Sequence, residues 1–165
     1  MNRIVPLSRL AVNDAHLCFY EENQAVCYWG IAVDDLTLDD PPVQRGTPQW
    51  RGNKVEKWDW FVENSRLSDF LMMMLIWQCS WGGMAYYANT TVDGAWANRI
   101  YEDATGWDRL VDPGASGLRA LWRDGQLFTF GNRSDVKLNA CGKTREDLDA
   151  IASCFGIEWK RSRGS

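Results

Sequence analysis

Short apolar runs separated by polar turns open the chain, and this pattern predicts β-strands. Residues 16–20 form one apolar run, and residues 25–33 form a longer one rich in Val, Ile, Tyr and Trp, which suit a pleated surface. The sequence Glu-Glu-Asn-Gln at 21–24 lies between them, and Asn tolerates the backbone angles of a turn. We therefore predict a β-hairpin with its bend at Glu-Glu-Asn-Gln.

The following segment is polar and rich in proline, which predicts loops before a third strand. Residues 34–43 contain four aspartates and two adjacent prolines that block a helix, so we predict an exposed acidic loop. Residues 44–54 also have the composition of a loop. Residues 55–63 then alternate with a period of two and place Trp58 and Trp60 on one aromatic face of a strand.

Residues 65–83 have the strongest helical pattern in the chain. Ser65 can cap this helix, Asp69 lies in its first turn, and Gly82-Gly83 can end it. Apolar side chains cover most of its circumference. We therefore predict that it is the central helix of the core.

Two shorter helices are predicted in the second half of the chain. The first covers residues 94–103, with Asp93 as its cap. The second begins near Thr144 and Asp147, which have the spacing of a capping box, and it ends at Gly156.

A second hairpin and one further strand are predicted between these two helices. Residues 118–132 alternate between apolar and polar positions around an Asp124-Gly125 pair, which favours a two-residue turn. Residues 136–141 are predicted as the next strand. Elements in this order predict an α+β fold, with an antiparallel or mixed β-sheet and helices packed mainly on one face.

The length and composition of the chain limit its organisation. It has 165 residues, 45% of them hydrophobic, which is enough for one core and short for two domains. We predict a single domain over residues 1–159 and a basic tail at 160–165 that is expected to be disordered. Charges interrupt any signal-peptide core at the amino terminus, and no apolar run approaches the roughly 20 residues that cross a bilayer. We expect a cytoplasmic protein.

The charge of the chain favours a basic protein as partner over nucleic acid or a membrane. The net charge is −4, whereas nucleic acids and anionic membranes attract basic proteins. The ten tryptophans exceed what one small core readily buries, which favours aromatic contacts with a partner. Residues 11–44 contain no Lys or Arg and seven acids: Asp14, Glu21, Glu22, Asp34, Asp35, Asp39 and Asp40. These acids predict a negative field at one end of the sheet, although solvated loops are often acidic without binding anything.

Candidate residues for catalysis or metal binding form no strong pattern. Glu21 and Glu22 are adjacent, so an extended backbone points them to opposite faces instead of across one bond. His16 and Cys18 would lie about 6.5 to 7 Å apart on a strand, too far for a nucleophile and its base. The five cysteines are widely spaced, which predicts reduced and mostly buried thiols. We expect no catalytic residue, no metal and no cofactor.

Three motifs occur in the order found in the SUKH superfamily, and the chain resembles that group. They are Tyr-Glu-Glu-Asn-Gln at 20–24, Asp-Pro-Pro-Val at 40–43 and Leu-Ser-Asp-Phe-Leu at 67–71. The superfamily includes bacterial immunity proteins and the fungal Smi/Knr cell-wall regulators, and the resemblance is closest to the bacterial members. Asp69 stands where the family has Glu, and Ala25 stands where Gly is common. The chain starts where the family usually already has an amino-terminal helical segment, so we expect part of the sheet to lack its usual cover, which would favour self-association or a distinct partner surface.

The resemblance implies a non-enzymatic protein whose partner is another protein. Many bacterial members are thought to neutralise a cognate toxin, often a nuclease or a deaminase, by binding it. Carboxylates suit that role because they can replace phosphates in a basic cleft. The candidate partner-binding residues are acidic or aromatic: Glu21, Glu22, Asp34, Asp35, Asp39, Asp40, Trp50 and Trp58. A regulatory or scaffold domain similar to the fungal members is the alternative, and an enzyme is the least expected class.

Overall fold

Antiparallel strands make up most of the fold. A computed structural model describes residues 2–110, 117–130 and 135–164, and these ranges contain three α-helices and twelve strands. Every strand pair in them is antiparallel, and the predicted α+β class is confirmed. None of the helices in these ranges has the length and apolar character needed to cross a bilayer. The chain divides into two compact units, Met1–Leu71 and Met72–Ser165, and the single domain over residues 1–159 stays a prediction.

The first unit contains one six-stranded sheet. Its strands are β1 (Arg3–Ile4), β2 (Ala11–Asn13), β3 (His16–Glu21), β4 (Tyr28–Ala32), β5 (Val43–Arg51) and β6 (Lys54–Asn64). Along the sheet their order is β1-β3-β4-β5-β6, and β2 pairs with β3. Short 3-10 turns cover Leu7–Arg9 and Val33–Asp35. Strands β3 and β4 form the hairpin predicted around Glu-Glu-Asn-Gln, although Glu21 belongs to the strand and the bend covers residues 22–27.

The loop predicted at residues 44–54 is wrong, because β5 occupies most of this segment. Strand β5 pairs with β6 along nearly its whole length, but it pairs with β4 only from Gln44 to Gly46. Pro48 therefore lies where β5 has a described neighbour on one side alone, a position that tolerates a residue without an N–H. The hairpin between β5 and β6 turns at Gly52, whose φ is 62°.

Phe70 is the centre of aromatic packing in the first unit. Its side chain is fully buried. Its ring centroid lies 5.7 Å from those of Phe19 and Tyr20 and 5.9 Å from that of Trp29. These contacts place Phe70 at the face of the sheet formed by the β3–β4 hairpin.

The predicted core helix is α1, which spans Leu67–Gln78 and is followed by a π-helical turn at Cys79–Gly83. Gly82 has a φ of 107°, which ends the helix as predicted. Met73 is fully buried, whereas Leu75 is 59% exposed. The prediction of a core helix is therefore correct for one side of α1 only.

Ala25 adopts a left-handed backbone conformation in the bend between β3 and β4, with a φ of 58°. Its N–H donates to the carbonyl of Glu22 at 2.8 Å, so the bend depends on this conformation. A residue with a Cβ loses about 1–2 kcal/mol in this region, and glycine does not. We expect Ala25→Gly to raise the free energy of unfolding by about 0.5–1 kcal/mol, after subtraction of glycine's greater loss of entropy.

Urea denaturation measures this change, and Ala150 provides the matched control. Ala150 is exposed within the helix Arg145–Phe155, where Ala150→Gly should lower the free energy of unfolding by about 1 kcal/mol. Losses of stability in both variants would contradict the left-handed conformation of Ala25.

The second unit contains a second six-stranded sheet. Its strands are β7 (Tyr86–Asp93), β8 (Asp108–Arg109), β9 (Arg119–Arg123), β10 (Gln126–Phe130), β11 (Asp135–Gly142) and β12 (Arg161–Gly164), in the order β12-β7-β11-β10-β9-β8. Two helices, α2 (Gly94–Asp103) and α3 (Arg145–Phe155), bury Ala97 and Ile151 against a core that includes Phe128 and Leu138. Ile76 packs in a separate cluster with Leu127 and Cys141.

The turns and caps predicted in the second unit are confirmed. Asp124 and Gly125 form the turn of the β9–β10 hairpin with φ values of 50° and 89°. The side chain of Asp93 accepts hydrogen bonds from the first turn of α2 at 2.9 and 3.2 Å. Thr144 and Asp147 form the capping box of α3. Each of these features depends on residues close together in the sequence.

Longer-range features of the fold differ from the prediction. The strands form two sheets in place of one, and β7 was not predicted although it contains Thr and Val at successive positions. The tail at 160–165 was expected to be disordered, but Arg161–Gly164 forms β12 beside β7. The N–H of Lys160 also donates to the carbonyl of Asn89 at 3.1 Å. Pairing with the exposed edge of β7 explains why this short polar segment is ordered.

Candidate functional site

The loop that follows β4, residues 33–40, forms the acidic loop of the first unit. It begins with the 3-10 turn Val33–Asp35. The N–H of Val33 donates to the carbonyl of Ala15 at 2.8 Å, and the N–H of Leu38 donates to that of Asp35 at 3.0 Å. These bonds order the backbone of the acidic loop and attach it to the turn between β2 and β3.

Three carboxylates of the acidic loop have no partner among the residues that the structure describes. Asp34 and Asp39 are exposed and Asp35 is half-buried. Within the residues that the structure describes, their side chains make no hydrogen bond or ion pair. Asp14 lies at the same end of the sheet, because the start of β3 pairs with the end of β4. This end of the sheet therefore has a negative field.

Exposed aliphatic side chains lie between these carboxylates. Val33, Leu36 and Leu38 are 41%, 42% and 52% exposed. Aliphatic side chains exposed beside charged ones are common where proteins bind one another. All three were missing from the predicted contact residues, because a loop has no periodic pattern that distinguishes buried from exposed positions. The one feature of the sequence that could have identified these side chains is the run Val-Asp-Asp-Leu-Thr-Leu at 33–38, in which aliphatic residues lie beside aspartates.

Asp40 ends the acidic loop and stabilises the start of α1. Its carboxylate accepts the backbone N–H of Ser68 at 2.8 Å and the Ser68 hydroxyl at 2.6 Å. The bonds from Ser68, together with the charge of Arg66, hold the pKa of the Asp40 carboxyl below its usual value. An anion at this position favours a helix amino terminus. Asp40 thus positions the acidic loop and has less capacity to bind a partner than was predicted.

Glu21 and Glu22 take part in the fold of the β3–β4 hairpin. Glu21 is only 5% exposed, and it forms ion pairs with Arg3 and with Arg9, the latter at 3.9 Å. Glu22 accepts the N–H of Gln24 at 2.7 Å, which closes the bend. Arginines from outside residues 11–44 therefore compensate Glu21, and little of its carboxylate is accessible to a partner.

The two predicted aromatic contacts, Trp50 and Trp58, differ in their position relative to the acidic loop. Trp50 is 58% exposed, but it lies about 20 Å along β5 from Gln44, which is near the end of that loop. Trp58 is half-buried, with its ring centroid 5.4 Å from those of Trp60 and Tyr28. Trp60 in turn stacks on His16 at 3.9 Å, so the ring stack that contains Trp58 reaches the start of β3, whereas Trp50 lies apart from the acidic loop.

The acids of residues 11–44 do not share one end of the sheet, so that prediction is wrong. Successive connections in an antiparallel sheet lie at opposite ends of the intervening strand. Strand β4 thus separates the bend at residues 22–27 from the acidic loop by about 13 Å. Glu22 lies at one end, and Asp14 and the acidic loop lie at the other.

His16 and Cys18 each have contacts that are structural. The Nδ1 atom of His16 lies 2.7 Å from the carbonyl of Asp14, and its ring stacks on Trp60 at 3.9 Å. Burial raises the pKa of the Cys18 thiol, which suppresses the reactive thiolate. The described ranges contain no group of three or more His, Cys, Asp or Glu residues placed to hold a metal ion.

Compared with protein-family models, with curated proteins and with solved structures, the chain gives no match.

Proposed function

We propose that this protein is a non-enzymatic immunity protein, or antitoxin, that binds a basic toxin through its acidic loop. The observation that carries the proposal is the set of carboxylates at Asp34, Asp35 and Asp39, which have no partner in the described part of the chain. Carboxylates form strong charge-assisted hydrogen bonds with Lys and Arg. Because no internal cation competes for these three, their full charge is available to a partner.

The aliphatic side chains of the acidic loop support the same proposal. Carboxylates mainly accelerate encounter with a cationic surface, whereas buried apolar area slows dissociation. Leu36 and Leu38 supply such area beside the charges. A toxin that acts on nucleic acid, such as a nuclease, has a basic cleft that this combination suits. The resemblance to the SUKH immunity proteins is the reason to propose a toxin instead of another basic protein.

The proposal also places the protein in the cytoplasm. All five cysteines are free. Free thiols remain reduced in the cytoplasm, whereas oxidising compartments favour disulfides.

Co-expression with the product of an adjacent toxin gene tests the proposed function. We expect rescue of growth and co-purification of the two proteins at a fixed ratio. Failure of both would contradict the toxin proposal and favour the regulatory or scaffold alternative, for which several weaker partners are expected.

Reversal of charge in the acidic loop should slow association with the toxin. For the triple variant Asp34→Lys, Asp35→Lys and Asp39→Lys, we expect an association rate about 10 to 100 times lower at low salt. The dependence of the rate on salt should also weaken, because fewer opposite charges attract the toxin. Stopped-flow fluorescence over a series of salt concentrations measures both effects.

A second triple variant controls for net charge. Glu102, Asp108 and Glu158 are exposed acids of the second unit, and their replacement by Lys changes the net charge by the same amount. This control should associate at nearly the native rate. Equal slowing in the two variants would indicate an effect of net charge alone and contradict a role for the acidic loop.

A further inference from the structure

The second unit has a cleft of about 380 Å³ beside α2 and the end of α3. Its walls are mainly apolar or aromatic and include Trp96, Ile100, Ala104, Trp107 and Phe155. Sites for small molecules usually have volumes of about 300–1,000 Å³ and combine apolar walls with a few polar groups. The volume and the walls of this cleft therefore suit a small ligand with a flat apolar part.

Two opposite charges line the same cleft without pairing. Arg99 and Asp103 lie four residues apart on α2, a spacing that normally permits an ion pair. Both are exposed, yet neither side chain makes a hydrogen bond or an ion pair with any residue in the described ranges. A ligand that carries both a negative and a positive group could pair with each of them.

Trp107, which forms part of the cleft wall, has a buried hydrogen-bond donor. Its side chain is 5% exposed, and its indole Nε1 has no hydrogen-bond acceptor among the described residues. The ring is held by Phe155, with centroids 5.3 Å apart, and by the guanidinium of Arg123, 4.4 Å from the ring centroid. A buried N–H without an acceptor is unfavourable, so binding of a ligand oxygen that reaches it would be favoured.

We propose that this cleft binds a free aromatic amino acid. The carboxylate of the ligand pairs with Arg99 and accepts the indole N–H of Trp107, the ammonium group pairs with Asp103, and the ring packs against the aromatic walls. A ligand with one charge leaves either Arg99 or Asp103 unpaired, which is why the zwitterion is favoured. This site is distinct from the acidic loop, and the inference does not rest on the proposed function.

Binding of L-phenylalanine, with two truncated analogues, tests the proposal. Phenylacetate lacks the ammonium group, and phenethylamine lacks the carboxylate. Titrations followed by the ¹H–¹⁵N NMR signal of the Trp107 indole should give a dissociation constant of roughly 0.1–1 mM for L-phenylalanine, as expected for so small a ligand. Both analogues should bind more weakly. The absence of a saturable shift with L-phenylalanine would overturn the proposal.

Two substitutions assign the charges. Arg99→Gln should weaken binding of L-phenylalanine and phenylacetate about tenfold and leave phenethylamine unchanged. Asp103→Asn should weaken L-phenylalanine and phenethylamine to a similar extent and leave phenylacetate unchanged. Both side chains are exposed, so the variants should fold. If the three ligands respond alike to both substitutions, the assignment of the ligand groups is overturned.

Discussion

Replacement of Phe70 by alanine should lower the free energy of unfolding by about 3–5 kcal/mol. The side chain is fully buried, so its removal leaves a cavity that the surrounding rings cannot readily fill. It also removes edge-to-face contacts with Phe19 and Tyr20, at interplanar angles of 83° and 88°, and a tilted contact with Trp29. Aromatic pairs of this kind each contribute about 0.5–1.5 kcal/mol beyond the burial of their area.

Urea unfolding followed by far-UV circular dichroism measures this loss. The next residue on the same helix, Leu71, is 44% exposed and provides the control. We expect Leu71→Ala to cost less than about 1 kcal/mol, because a partly exposed side chain loses little buried area. A loss for Phe70→Ala no larger than that of the control would contradict its central position.

Features set by nearby residues could be predicted from the sequence, and features set by distant partners could not. The Asp124-Gly125 turn and the capping box of Thr144 and Asp147 depend on atoms within a few residues. Strand β5 depends on β6 instead. A Cβ at Gly46 would lie only 2.6 Å from the ring of Trp60 in β6, so a side chain there would clash with this ring. Gly46 favours a loop when the sequence is considered alone, but in the fold it is required for the packing of β5 against β6.

The same distinction explains which acids of the candidate site have a partner within the fold. From composition alone, Glu21 and Asp34 are both candidate partner-binding acids. In the fold, Glu21 meets Arg3 across the sheet, and Asp40 meets Ser68, which lies 28 residues later in the chain. Asp34 meets no such partner within the described residues. The sequence could identify an acidic segment, but only the pairing of the strands determines which carboxylates are available to a partner.

Cys141 should react with iodoacetamide at least about 1,000 times more slowly than Cys154 in the native protein at pH 8, because only the thiolate reacts. Cys141 is fully buried, and burial, with a further contribution from Cys79, raises the pKa of its thiol to about 12. Its thiolate fraction at pH 8 is therefore about one in 10⁴. Cys154 is exposed on α3. Burial thus limits both the access of the reagent to Cys141 and the ionisation of its thiol.

Mass spectrometry of the alkylated peptides measures the two rates, and the same reaction in denaturant is the control, since unfolding should remove most of the difference.

The raised pKa of Cys141 also determines the direction of a pH effect on folding. An unfolded Cys ionises near pH 9, whereas the buried thiol ionises near 12, so the unfolded state binds fewer protons between these values. The contribution of Cys141 to stability should be constant below about pH 9 and decrease as the pH rises toward 12. Cys141→Ala should remove this part of the loss of stability at alkaline pH. The burial of Cys141 would be contradicted if the stability of this variant fell with pH as in the native protein. Equal rates of alkylation of Cys141 and Cys154 in the native protein would contradict it as well.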